Sequence, residues 1–121
     1  MTMTITTNVA WATLILIHIL PAMVLVRPSL ISKLYGVSAS GQVGILLVHR
    51  GALFLAVILV CAYALFEPSA RRPASLVAAT SIIGFLAIYG MSGLPQGPLR
   101  SIALADMIGL IALVIVLRDA W

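Results

Sequence analysis

Charged residues are scarce in this chain, and their scarcity decides its class. Only 8% of the 121 residues are Asp, Glu, Lys or Arg, whereas 63% are hydrophobic. A soluble domain carries about 25% charged residues, so this chain cannot cover a globular surface with polar groups. With no polar linker to divide it, the sequence predicts one integral membrane domain that covers residues 1–121.

Several other features are missing, and each absence removes a class of function. Cys61 is the only cysteine, which excludes an intrachain disulfide and paired-cysteine metal or redox sites. The seven basic residues form no stripe, so we expect no nucleic acid partner. Phosphate-binding glycine loops and the common metalloprotease and esterase motifs are absent. We therefore expect no metal and no cofactor, and any chemistry must occur in or at the bilayer.

Four apolar runs are present, each close to the length of about 20 residues that crosses a bilayer as a helix. They cover residues 8–26, 44–66, 74–94 and 99–117. None of them alternates polar and apolar residues as the strands of a membrane barrel do, and Pro, Gly and Ser separate them. The prediction is an all-α polytopic membrane protein, built as a bundle of four transmembrane helices.

The basic residues outside the runs bear on orientation. Four spans put both termini on one side of the membrane, called side A here, and the opposite side is side B. The loops on each side carry three Lys or Arg residues, so the distribution of positive charge does not decide the orientation. The Arg71-Arg72 pair in a short loop favours cytoplasmic termini. No Lys or Arg precedes the first run, so we expect it to span the membrane rather than act as a signal peptide.

Ionisable residues inside the runs are the candidates for function. An arginine at the centre of a membrane helix costs about 3 kcal/mol by insertion scales, so Arg50 needs a partner, and Asp106 is the acid within a run. At 1.5 Å per residue, Arg50, Asp106 and His18 all lie roughly 9–12 Å below the side-B boundary. We therefore predict that they share one layer of the bundle, with Arg50 paired to Asp106.

Two interpretations of this layer stay open. In the functional one, His49 exchanges protons because histidine titrates near neutral pH. The catalytic candidates are then His49 and Asp106, and the ligand-binding candidates are Arg50, His18, Arg100 and Tyr89. In the structural one, the arginine–aspartate pair only locks two helices together, and each histidine bonds to backbone or hydroxyl groups.

Small and aromatic residues give two packing predictions. The Thr80-xxx-Gly84 step predicts a close helix approach on the third run, and Gly109 predicts another on the fourth. Trp11, Tyr35 and Trp121 lie near the ends of spans, where aromatic residues typically anchor a helix at the membrane interface.

Four stretches are similar to a known group of proteins. They are Leu-Ile-His-Ile-Leu-Pro at 16–21, Leu-Tyr-Gly-Val at 34–37, His-Arg-Gly-Ala-Leu-Phe at 49–54, and the stretch from Arg100 to Asp106. The chain resembles small four-helix bacterial membrane proteins that are often labelled phosphopantetheine adenylyltransferase, and more loosely DoxX-like proteins. The soluble enzyme of that name carries an H-x-G-H motif, which this chain lacks. The resemblance implies a four-helix bundle in the bacterial inner membrane and no particular reaction.

Three functions remain open at this point. The first is binding of a lipid-like small molecule, of the quinone, isoprenoid or acyl type, at the polar layer, with or without proton transfer. The second is an accessory subunit of a larger respiratory or photosynthetic membrane complex. The third is a proton-coupled small multidrug transporter, although the first run has no acid to couple transport. The expected partners are the lipid bilayer, a hydrophobic small molecule, and a second copy or a larger membrane complex.

Overall fold

The part of the chain that the structure describes forms four long α-helices and one short one. A computed structural model describes residues 2–121, with side chains from Thr4 onward. The α-helices are α1 (Thr2–Met23), α2 (Leu30–Tyr35), α3 (Gly41–Phe66), α4 (Arg71–Met91) and α5 (Pro98–Ala120), and a 3-10 turn covers Pro68–Ala70. All four long helices are long and apolar enough to cross a membrane, consistent with a multi-pass membrane protein. The predicted all-α bundle of four helices is confirmed.

Most helix ends differ from the predicted ones by about three residues, and α1 begins six residues earlier than predicted. We predicted that the first helix ends at Val26, but α1 ends at Met23, two residues after Pro21. Residues 24–26 instead form turns in which each amide donates to the carbonyl three residues before it, such as Val26 to Met23 at 3.1 Å. The short helix α2 was not predicted, because six residues are too few to show a helical period.

Helices α3 and α5 lie at opposite corners of the bundle. α3 packs against α1 and α4, and α5 also packs against α1 and α4, so the four helices form a ring. α2 lies on side B against the start of α5, where a side chain at Gly36 would come within 3.2 Å of Pro98 Cγ. Residues on α3 and α5 can therefore meet only across the centre of the ring.

The two halves of the bundle differ in packing. The main core lies in the side-A half, and it consists of Ala10, Trp11, Leu14, Val57, Cys61, Ala64, Ala74, Ala78, Ile82, Ala112, Leu113 and Val116. Trp11 is 0% exposed, so its predicted role as an interfacial anchor is wrong. The tryptophan turns into the core, where its ring fills space between helices. The buried polar residues His18 and Asp106 lie nearer side B.

Arginines tie the helix ends together on side A. Arg71 pairs with Asp119 at 3.3 Å and donates from Nε to the Ala64 carbonyl at 2.9 Å. Arg72 donates to the Ala120 carbonyl at 2.8 Å, and its guanidinium carbon lies 5.0 Å from the Trp121 ring. These contacts join α4 to both α3 and α5, so side A is closed by polar bonds as well as by the core.

Close approach of helices occurs at Gly51 rather than at the predicted Gly84. A Cβ at Gly51 would lie 2.8 Å from the Leu25 amide nitrogen, so the backbones around these residues touch. A Cβ at Gly109 would meet Ile17 Cδ1, which confirms the prediction for that residue. By contrast, a Cβ at Gly84 would find no heavy atom within 4 Å, so the prediction of close packing there is wrong.

Gly51→Ala should destabilise the protein, whereas Gly84→Ala should not. The added methyl group at Gly51 must push against backbone, and overpacking of this kind costs about 1–3 kcal/mol. At Gly84 the same change meets open space and improves helix propensity by up to about 1 kcal/mol. Thermal unfolding in detergent compares the two variants directly, and equal midpoints would contradict the helix contact described at Gly51.

Candidate functional site

A groove lies between α3 and α4. Its volume is about 1030 Å³, near the upper end of the range of about 300–1,000 Å³ found for small-molecule sites. Aliphatic side chains form most of its wall, among them Val43, Leu47, Val57, Leu76, Val77 and Ile88. Gly84 also lines it, and the missing side chain there widens the gap between the two helices.

Arg50 faces this groove from α3 and is surrounded by aromatic rings. Its guanidinium carbon lies 4.8 Å from the centre of the Phe54 ring, 5.7 Å from that of Phe85 and 5.8 Å from that of Tyr35. Rings at such distances attract the positive charge through their π-electrons. They accept no hydrogen bond in the guanidinium plane, however, and the buried Nε of Arg50 has no hydrogen-bond partner in the structure.

Three different elements supply the rings of this aromatic box, defined as Tyr35, Phe54 and Phe85. Phe54 follows Arg50 by four residues, which puts both on one face of α3. Phe85 comes from α4 and stacks on Tyr89, with ring centres 5.9 Å apart. Tyr35 is the last residue of α2, and Gly36 ends that helix in the left-handed conformation at φ 70°. The short helix thus brings a ring over the side-B end of the groove.

The predicted ion pair between Arg50 and Asp106 is not formed. Within the part of the chain that the structure describes, Arg71–Asp119 is the one ion pair with an N–O distance of 4.0 Å or less. Arg50 is on α3 and Asp106 is on α5, at opposite corners of the ring, so their attraction acts over a longer distance. Asp106 is 8% exposed and does not line the groove.

His18, on α1, lies in the centre of the bundle between α3 and α5. Its ring is 2% exposed, and Nδ1 donates to the Leu14 carbonyl at 2.7 Å, since that oxygen can only accept. Nε2 lies 2.8 Å from Ser81 Oγ, and in the neutral ring it accepts the serine hydroxyl. The bond crosses from α1 to α4. His18 and Arg50 both contact Phe54, so these two residues share a layer as predicted.

None of the remaining predicted site residues lines the groove. His49 is exposed on α3, one turn from Leu53 on the rim of the groove and beside Leu46, which is 67% exposed. Tyr89 is buried, and its hydroxyl donates to the Pro95 carbonyl at 2.7 Å. Arg100 is exposed and donates to Gln96 Oε1 at 2.7 Å. Of the predicted site residues, Arg50 lines the groove directly. His18 lies at the edge of the groove, because it bonds to Ser81, which lines it.

Sequence reasoning missed the aromatic box, although part of it had a signal. The spacing of Arg50 and Phe54 by four residues predicts contact on one helix. No local pattern, however, shows that rings from α2 and α4 meet the same guanidinium group.

Metal binding finds no support in the arrangement of side chains. Among residues whose placement is described, no group of three or more His, Cys, Asp or Glu side chains could hold a metal ion.

Comparisons of the chain with protein-family models, curated proteins and solved structures find no match. Membership of the four-helix bacterial group therefore stays a prediction, and function must be inferred from the groove itself.

Ser81→Ala should lower stability by about 1 kcal/mol, because it removes the hydrogen bond and leaves His18 Nε2 buried without a partner. Thr80→Ala is the matched control, since Thr80 is exposed and its hydroxyl bonds within its own helix to the Leu76 carbonyl at 2.8 Å. The free energies of unfolding of both variants would be compared in the same detergent. A Ser81→Ala protein as stable as the control would show that the bond across the bundle contributes nothing.

Proposed function

We propose that the protein binds a lipid-like small molecule, of the quinone, isoprenoid or acyl type, in the groove between α3 and α4. Arg50 holds the polar head, and the aliphatic wall holds the apolar body. The observation that supports this most is Arg50 itself, which lines a groove of about 1030 Å³ while its buried Nε has no hydrogen-bond partner.

The physical reason is that a buried donor without an acceptor is costly. An unmade hydrogen bond of a buried group costs about 1–3 kcal/mol, and more when the group is charged. The aromatic box lowers the cost of the charge but offers no hydrogen-bond acceptor, and the buried Nε has none. An oxygen on the head of a bound molecule would accept from the guanidinium group, and hydrogen bonds to charged groups contribute about 1.5–3 kcal/mol each.

The proposal is limited to binding and includes no reaction. Proton transfer by His49 and Asp106 requires both groups at the ligand, but neither lines the groove. The multidrug-transporter hypothesis meets the same objection, because its coupling acid would have to be Asp106. The proposed location is the bacterial inner membrane, which rests on the resemblance of the sequence.

Gly84→Trp and Gly90→Trp form a matched pair for testing the proposal. Both glycines lie on α4, and a Cβ at either would meet no heavy atom within 4 Å, so the bundle should tolerate both changes. Gly84 lines the groove and Gly90 does not. The parent purified in mild detergent should retain a specific hydrophobic molecule, detected by extraction and mass spectrometry. Gly84→Trp should lose it, and Gly90→Trp should keep it.

Two results would count against the proposal. If the parent and both variants retain the same molecules in the same amounts, the groove is not a binding site. If the parent retains a second protein that Gly84→Trp releases, the groove holds a partner helix, as the accessory-subunit hypothesis requires.

A further inference from the structure

We infer that the head of the ligand carries a single negative charge, and that the ligand is a long-chain monocarboxylate, a free fatty acid drawn from the bilayer. This inference rests on the proposed function, since it specifies which lipid-like molecule the groove takes. Hydrogen-bond geometry, charge balance and the shape of the groove each support it.

Hydrogen-bond geometry favours a head with two oxygens. The aromatic box engages the guanidinium group of Arg50, and its buried Nε–H points to no acceptor. A carboxylate has two oxygens and can accept from two N–H groups of a guanidinium at once, which is the bidentate geometry preferred by arginine. A quinone carbonyl or an alcohol offers one oxygen without charge, so it would make fewer and weaker hydrogen bonds to the guanidinium group.

Charge balance favours one negative charge over two. Arg50 is the one basic residue among those lining the groove. The other arginines and Lys33 lie outside the groove, in the loops and at the helix ends. A phosphate monoester carries about −1.5 to −2 charges at pH 7, so part of its charge would stay unpaired beside aliphatic walls. Burying unpaired charge is strongly unfavourable. A monocarboxylate carries one negative charge, which Arg50 balances.

The groove is long enough to hold the first part of an extended acyl chain, and the rest of the chain can continue into the bilayer. Along α4 it runs from Ile88 to Leu76, which is roughly 18 Å at 1.5 Å per residue. Phe85 marks the level of the head near side B, so most of this length lies towards side A, along Val57 and Val77. Leu53 and Ile88 on its rim are 56% and 66% exposed. The groove is therefore open sideways, where a chain could enter from the bilayer.

Binding of matched probes tests the inference. Radiolabelled palmitate should bind the purified protein saturably, and unlabelled hexadecanol, the neutral alcohol of the same chain length, should compete at least about tenfold less well. That ratio corresponds to about 1.4 kcal/mol, the low end for a hydrogen bond to a charged group. Arg50→Leu should weaken palmitate binding to the level of hexadecanol. Arg27→Leu is the matched control and should bind as the parent does, because Arg27 is exposed and outside the groove.

Different results distinguish a failure of this inference from a failure of the proposed function. If hexadecanol or farnesyl diphosphate competes as well as palmitate, and Gly84→Trp blocks all of them, the groove binds lipids but does not select a monocarboxylate. If Gly84→Trp binds palmitate as the parent does, the proposed function itself is wrong. The comparison of probes uses the parent protein, so it decides the question even if Arg50→Leu does not fold.

Discussion

Arg50 keeps a positive charge inside an apolar bundle without a carboxylate beside it. Three aromatic rings with centres 4.8–5.8 Å from its guanidinium carbon reduce the cost of that charge. The rings do not neutralise the charge, and the buried Nε still has no hydrogen-bond partner. A direct bond to Asp106 would have neutralised Arg50 and removed the reason for a ligand. The separation of these two residues is therefore the constraint on which the account of function depends.

The architecture of the bundle maintains that separation. α3 and α5 occupy opposite corners, and the bond between His18 and Ser81 crosses the centre from α1 to α4. Side A is closed by the main core and by the contacts of Arg71 and Arg72. Near side B, the open space at Gly84 widens the seam between α3 and α4. The half near side A is therefore closed by packing and polar bonds, and the groove between α3 and α4 extends into both halves.

The sequence predicts the four helices well, because long apolar runs leave few alternatives for a chain in lipid. It also predicts that His18 and Arg50 share a layer, since depth follows from counting residues along each helix. It cannot predict which helices are neighbours, because rise per residue gives depth and not rotation or order around the ring. Pairing Arg50 with Asp106 assumed adjacent helices. The same limit explains why Gly84, part of a small-residue pattern, lines a groove while Gly51 makes the close contact.

The most direct test is an experimental density map of the protein in a lipid nanodisc, inspected beside Arg50. The account predicts elongated density between α3 and α4, with its head in the plane of the guanidinium group and its tail towards Leu76. An Arg50 side chain bonded directly to Asp106, next to a groove without such density, would contradict it.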